Sequence, residues 1–76
     1  MHKLTSAFRA ANNQVALVLD TPKGDRLLFI PRTAKLMFEV NPDTGKIHRL
    51  NAFHAGKVLL SCHTTARGVE ALNALG

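Results

Sequence analysis

Residues 35–50 read KLMFEVNPDTGKIHRL and hold the clearest structural pattern in the chain. Leu36, Phe38 and Val40 alternate with a mostly polar set, which is the period-two pattern of a half-buried β-strand. The NPDTG segment that follows combines the residue types that favour a tight turn, and apolar residues resume just after it. The stretch therefore predicts two antiparallel strands joined by an exposed turn, with Gly45 at positive φ.

The same reasoning extends to both sides of this hairpin. Short apolar segments bounded by Gly, Pro, Asn and Asp predict strands over 14–20, 26–30, 35–41, 46–50 and 57–63. The segment 26–30 is apolar on both parities, which predicts a central strand or one covered on both faces. Ile47 and Leu50 fall on opposite parities, so the strand that holds them needs a bulge or an early end. Residues 51–56 (NAFHAG) are predicted to form a loop.

At both ends of the chain the apolar residues have the spacing of a helix. From Thr64 onward the apolar residues follow helical spacing, with Thr64 or Thr65 as N-cap, and Gly68 indicates a close approach of helix to sheet. Residues 4–11 fit both a helix and a strand, and a helix closed by Asn12–Asn13 in the left-handed conformation is the favoured interpretation. The predicted fold is a single α+β domain over 1–76: a small four- to five-stranded, mainly antiparallel meander with a C-terminal helix packed on it, and a short N-terminal helix as an open alternative.

Composition limits the class of protein. A chain of 76 residues can build one small core, so a second copy of the chain is a reasonable source of extra stability. No apolar run approaches the roughly 20 residues that a bilayer requires, and the first residues lack the apolar region of a secretory signal, so a cytoplasmic protein without membrane contact is expected. Cys62 is the only cysteine, which excludes an internal disulfide and favours a buried thiol.

The charge of the chain favours an acidic partner. Ten Lys and Arg against five Asp and Glu give a net charge of +5, which favours encounter with nucleic acid or nucleoprotein. Phe8, Phe29 and Phe38 are predicted to be core residues, and the chain has no Trp or Tyr, so an aromatic stacking platform is not expected. Any binding is expected through phosphates and grooves, and the alternative for each candidate cation is an ordinary solvated sheet face. The candidates are Arg26, Arg32, Lys35, Lys46, Arg49 and Lys57.

The start of the last helix is a further candidate site. Its first turns contain no acidic residue, although the positive end of a helix dipole favours one, and they contain Arg67 instead. Together with His63, the hydroxyls of Thr64 and Thr65 and the free N–H groups, Arg67 would suit a phosphate or a carboxylate. The alternative is that Arg67 points to water and Thr64 only caps the helix.

Three functions are open on the sequence. The first is a non-catalytic, small basic binding module that contacts nucleic acid or a nucleoprotein complex. The second is a protein-binding accessory or inhibitor of the phage or mobile-element type, in which Phe53 of the NAFHAG loop is either an exposed anchor or a core plug. The least favoured is a ribonuclease-like enzyme using Glu39, His54 and Arg67, which nothing in the sequence fixes together, so no enzyme is expected. No cofactor is predicted, and no metal site either, because the spacing of the histidines and Cys62 is poor for zinc.

Overall fold

A computed structural model describes residues 2–75 of the chain. Its six strands and single helix follow one another in the order β1 (Lys3–Ala10), β2 (Gln14–Thr21), β3 (Gly24–Pro31), β4 (Lys35–Val40), β5 (Ile47–His54), β6 (Lys57–Thr64) and α1 (Ala66–Leu75). The strands form one sheet in the order β3-β2-β1-β6-β5-β4. The fold is therefore α+β, with a mixed sheet and a C-terminal helix.

The sheet consists of two antiparallel meanders, β1–β2–β3 and β4–β5–β6. They are joined by a parallel pairing of β1 with β6 that covers only two residue pairs, Lys3 with His63 and Leu4 with Thr64. The backbone N–H of Thr65 extends this junction by donating to the carbonyl of Leu4 at 3.0 Å. A short seam near the start of β1 thus connects the two halves of the sheet.

The connection between β3 and β4 shows that the sheet is strongly bent. These strands lie at opposite edges, which in a flat sheet would be about 24 Å apart across five strand spacings. The chain from Pro31 to Lys35 can span at most about 15 Å. The two meanders therefore curve toward each other, and each has an inner face toward the other and an outer face away from it.

The core lies between these inner faces and the helix. Leu4, Leu17 and Ile30 of the first meander belong to the same buried cluster as Leu50 and Cys62 of the second, and Leu72 of α1 completes it. The helix runs along β1, with its start at Leu4 and its end at Arg9, and an added Cβ at Gly68 would lie 2.5 Å from the carbonyl oxygen of Leu4. The close approach predicted at Gly68 is confirmed.

The N-terminal segment is a strand, and the favoured helix was wrong. Asn12 and Asn13 do take positive φ, 61° and 57°, but they form the turn of the β1–β2 hairpin, with Gln14 N–H donating to the Ala11 carbonyl at 3.3 Å. A bulge shifts the register between Leu4 and Ser6. The extra residue reverses the alternation, which is why the apolar positions of β1 mimic a helical period.

The second meander also differs from the expectation. Residues 51–54 continue β5 instead of forming a loop, and the turn is reduced to Ala55 and Gly56, both at positive φ. The number of strands is six rather than four or five, and the β1–β6 pairing makes the sheet mixed. β3, which was expected to be central or covered on both faces, is an edge strand.

Two further predictions, one for the β4–β5 turn and one for β5, are confirmed. Gly45 has φ 71° in the β4–β5 turn, where its N–H donates to the Asn41 carbonyl at 2.8 Å. A register shift in the β4–β5 pairing supplies the predicted bulge near the start of β5. No helix among residues 2–75 is long and apolar enough to cross a membrane.

Candidate binding surface

Three turns meet at one end of the molecule. The N–H of Arg32, in the β3–β4 connection, donates to the carbonyl of Asn13 in the β1–β2 turn at 2.8 Å. Oγ1 of Thr33 lies 3.3 Å from Nε2 of His54, which adjoins the β5–β6 turn. The C-terminal end of α1 is at the same place, because a guanidinium N–H of Arg9 donates to the carbonyl of Leu75.

This end of the molecule, called the cationic end below, comprises residues 9–14, 31–35 and 53–57. Its charged residues are Arg9, Arg32, Lys35 and Lys57, and it contains no Asp or Glu. The opposite end has six cationic residues, but Asp20, Asp25, Glu39 and Asp43 lie there as well, and Glu70 is in the middle of the helix. The cationic end is therefore the part of the described chain in which no acidic residue offsets the positive charge.

The surface of the cationic end is concave. One cavity of about 310 Å³ has Arg9 and Arg32 beside the apolar side chains of Leu36 and Leu72. A second, of about 390 Å³, is lined by Thr33, Lys35, Met37, Phe53 and His54, among others. A third, of about 370 Å³, lies between the β1–β2 turn and the β3–β4 connection and is lined by Asn12, Asn13, Arg32 and Thr33 among others. The Arg32–Thr33 segment borders all three cavities.

Four of the residues predicted from the sequence lie at the cationic end: Arg32, Lys35, Phe53 and Lys57. Phe53 is neither a loop anchor nor a fully buried plug, because it lies in β5, partly buried, at the edge of the second cavity. Arg9, which sequence reasoning missed, joins this set. The Asn-Asn pair that closes the hairpin was the available signal, because it places the end of β1 beside the start of β2.

The predicted helix-start site lies at the opposite end, and its hydroxyls are engaged within the protein. Thr65 is the N-cap: its Oγ1 accepts from the Gly68 N–H at 3.1 Å and donates to the Leu4 carbonyl at 3.0 Å. The hydroxyl of Thr64 donates to the Thr65 carbonyl at 3.0 Å. Arg67 is exposed beyond them. The two threonines therefore have a structural role, because their hydroxyls hold the start of the helix against β1.

The remaining predicted residues are distributed over the end that holds the carboxylates. Arg49 belongs to a side-chain network, in which it donates to Ser61 Oγ at 3.0 Å and lies 3.8 Å from Glu39 Oε2. Asn51 closes this network by donating to Glu39 Oε2 at 2.7 Å and accepting from Ser61 Oγ at 2.6 Å. Arg26 lies near the start of β3, Lys46 in the β4–β5 turn, and His63 beside Arg49 in the β5–β6 pairing.

The two phenylalanines expected in the core of the first meander are not there. Phe8 is 46% exposed and Phe29 is 49% exposed, whereas Phe38 is partly buried against the core as predicted. Phe8 and Phe29 lie on the outer face, opposite the buried Ala7 and Ile30. Their high hydrophobicity suggested a core position, but the bulge in β1 and the edge position of β3 leave both rings open to solvent.

The groups considered for chemistry are separated. Glu39 belongs to the network with Arg49, His54 contacts Thr33 at the cationic end, and Arg67 lies at the helix start. Burial raises the pKa of the Cys62 thiol, and the nearby Arg49 charge and a hydrogen bond with the Leu4 backbone lower it by less. Within residues 2–75, no three His, Cys, Asp or Glu side chains are grouped so that they could hold a metal ion.

Comparison with known protein families, with curated proteins and with solved structures finds no match to this chain. The function is therefore inferred from the geometry and charge of the surface.

Proposed function

We propose that the protein is a non-catalytic binding module that contacts nucleic acid, free or within a nucleoprotein, through the cationic end. The observation that supports this most is the convergence of Arg9, Arg32, Lys35 and Lys57 in segments that contain no Asp or Glu. Phosphate groups supply the charge that this surface lacks, and binding them releases counterions.

The contacts that these four cations make within the protein leave most of their positive charge available for a ligand. Among residues 2–75 the only salt bridge is that of Arg49 with Glu39, at the other end of the molecule. Arg9 does bond the last turn of α1, where the negative end of the helix dipole favours a cation. Arg32, Lys35 and Lys57 are exposed, and these three are the residues proposed to contact phosphates.

The concave shape and the polar groups of this end also favour a phosphate backbone. Asn12 and Asn13 are exposed and offer amide donors beside Arg32. The cavity between the β1–β2 turn and the β3–β4 connection is lined by Asn12, Asn13, Gln14, Pro31, Arg32 and Thr33. A nucleic acid backbone that enters it would meet the guanidinium of Arg32 together with these amide and hydroxyl groups.

The test is a salt titration of affinity, measured by fluorescence anisotropy with labelled oligonucleotides. Arg32→Ala and Lys35→Ala should each weaken binding by about 1 to 3 kcal/mol. Each should also reduce the slope of log affinity against log salt concentration by about 0.7 to 0.9, since one phosphate contact is lost.

Lys23→Ala and Lys46→Ala are the matched controls, because they remove the same charge from turns at the opposite end. They should leave affinity and slope nearly unchanged. Equal losses in all four variants would contradict a specific surface and indicate attraction to the net charge alone. A loss confined to Arg67→Ala would instead locate the contact at the start of α1.

A second candidate function, binding of a partner protein, is supported by different features. β3 and β4 are the two edge strands of the sheet, and an edge strand can pair with an extended segment of another chain. The apolar residues Met37 and Phe53 border the second cavity beside β4. Binding that is insensitive to salt and is lost in Phe53→Ala would favour this function over nucleic acid.

A further inference from the structure

The outer face of the first meander carries an apolar surface that no part of residues 2–75 covers. Phe8, Ala16 and Phe29 form a cross-strand row through β1, β2 and β3. Ala16 is 0% exposed although it points away from the core, so the flanking rings and the neighbouring strands shield it. Leu27 extends the surface on β3 and is 52% exposed. These four residues are called the aromatic face below.

The aromatic face adjoins the cationic end. Arg9 follows Phe8 but points to the opposite face, toward α1, so the connection on the outer side is made by β3, where Phe29 is two residues from the strand end and three residues from Arg32. The two rings are separated by two strand spacings, about 10 Å, with only the small side chain of Ala16 between them. Each ring is therefore accessible to a flat group that lies over the sheet.

We propose that the nucleic acid bound by this protein is single-stranded and that its bases stack on Phe8 and Phe29 while its backbone follows the cationic end. This inference rests on the proposed function. Exposed aromatic rings beside a positively charged groove are the combination by which proteins hold single strands, because every base has a π-face. The bases of a duplex are stacked on one another and are not available to the rings.

The aromatic face could instead bind a second copy of this chain, but the charges of the protein disfavour such a dimer. Joining two aromatic faces with their strands in the same direction would superpose two cationic ends, each with four positive charges and no Asp or Glu. Like charges brought close together across an interface oppose association. A polyanion, in contrast, is attracted by the same charges that repel a second copy.

The first test compares a labelled single-stranded oligothymidine with a DNA duplex of the same length at fixed salt. The wild-type protein should bind the single strand at least tenfold more tightly. Phe8→Leu and Phe29→Leu keep an apolar side chain but remove the ring, and each should weaken single-strand binding by at least about 5-fold. Neither should change the salt slope, because neither removes a cation. Val40→Ala is the control, because it shortens an exposed apolar side chain on the edge strand β4, away from the aromatic face, and its affinity should stay close to that of the wild type.

The second test uses fluorescence, since the chain contains no Trp or Tyr. Phe29→Trp introduces a single emitter at the proposed stacking position, and the single strand should quench its emission while binding at least as tightly as to the wild type. Val40→Trp is the control: Val40 is 56% exposed on an edge strand at the opposite end, and its emission should not respond.

Three results would overturn the inference, and they are distinguishable. Equal binding of single strand and duplex with unchanged affinity in both leucine variants would reject stacking and leave the proposed function intact. Absence of binding to any oligonucleotide would reject both. Sedimentation that shows a dimer in the wild type and a monomer in Phe29→Leu would assign the aromatic face to a second copy.

Discussion

At the scale of single residues, Cys62 shows how position decides chemistry. Its side chain is 4% exposed and belongs to the core cluster that joins the two meanders. A thiol reacts as its thiolate, and burial raises the pKa of Cys62, so the reactive form is scarce at neutral pH. The neighbouring charge of Arg49 does not reverse this, because its effect on the pKa is smaller than that of burial.

We therefore expect Cys62 to resist alkylation in the folded protein and to react on unfolding. The measurement is the rate of labelling by iodoacetamide at pH 7.5, with and without denaturant, followed by mass spectrometry. Rapid labelling of the folded protein would show that the core opens at β6. Cys62→Ala should lower the free energy of unfolding by about 1 kcal/mol through the loss of buried volume while leaving oligonucleotide affinity unchanged.

At the scale of elements, the packing of α1 on β1 depends on one missing side chain. An added Cβ at Gly68 would lie 2.5 Å from the Leu4 carbonyl oxygen and 2.9 Å from Leu4 Cγ. The first of these atoms is backbone and also accepts hydrogen bonds from Thr65, so it cannot move without disturbing the seam between β1 and β6.

Gly68→Ala should therefore destabilise the protein, although alanine favours a helix over glycine by about 1 kcal/mol. The overlap with Leu4 is expected to outweigh that gain and to lower the free energy of unfolding by at least about 1 kcal/mol. Urea denaturation followed by circular dichroism measures it. Asn73→Ala, at an exposed position of the same helix, is the control and should be neutral or stabilising. A more stable Gly68→Ala variant would mean that α1 is free to shift.

The extent to which the sequence pattern predicts the fold is also clearest for single strands and the helix. β2, β3, β4, β6 and α1 were predictable because their alternation or helical period is local and Gly, Pro and Asn mark their ends. β1 was not, because the bulge near Ser6 changes the side-chain alternation within the strand, and alternation is what distinguishes a strand from a helix. The pairing of β1 with β6 joins residues about 60 positions apart, and nothing in the local sequence encodes it.

The candidate surface was predictable only in part for the same reason. Arg32, Lys35 and Lys57 were identifiable as cations of strands and turns, but their convergence depends on the bend of the sheet. Arg9 joins them through the β1–β2 hairpin, which the favoured helix excluded. Phe8 and Phe29 were assigned to the core on hydrophobicity, and only the strand order reveals that β3 is an edge and that these rings are exposed.

At the scale of the whole molecule, the uneven charge distribution has an effect on stability. Two like charges about 10 Å apart in water repel by about 0.4 kcal/mol, and the segments that hold the four cations of the cationic end contain no Asp or Glu. Unfolding separates these charges, so their repulsion lowers the free energy of unfolding at low ionic strength.

We expect Arg32→Gln to raise the free energy of unfolding by a few tenths of a kcal/mol at low salt. The backbone hydrogen bond of residue 32 to Asn13 is kept, so the change isolates the charge. The gain should disappear by 0.5 M NaCl, where charges are screened over a few ångströms. Thermal unfolding at several salt concentrations measures both effects. Lys23→Gln, in a turn close to Asp20 and Asp25, is the control, and an equal gain there would contradict a localised repulsion.

The two-pair seam between β1 and β6 has a consequence for the kinetics of folding. In a fully flexible chain, bringing Leu4 to Thr64 and Thr65 closes a loop of about 60 residues at an entropic cost of about 3.6 kcal/mol plus a constant. The hairpins of each meander close far shorter loops, so they can form first and independently. The closing of the seam is then the expected rate-limiting step, and a chevron analysis of Thr65→Ala would show slower refolding if the seam is formed in the transition state. Until the seam closes, β1 and β6 each have an unpaired edge. During that time two partly folded copies of the chain can exchange meanders, with β1 of one copy pairing with β6 of the other.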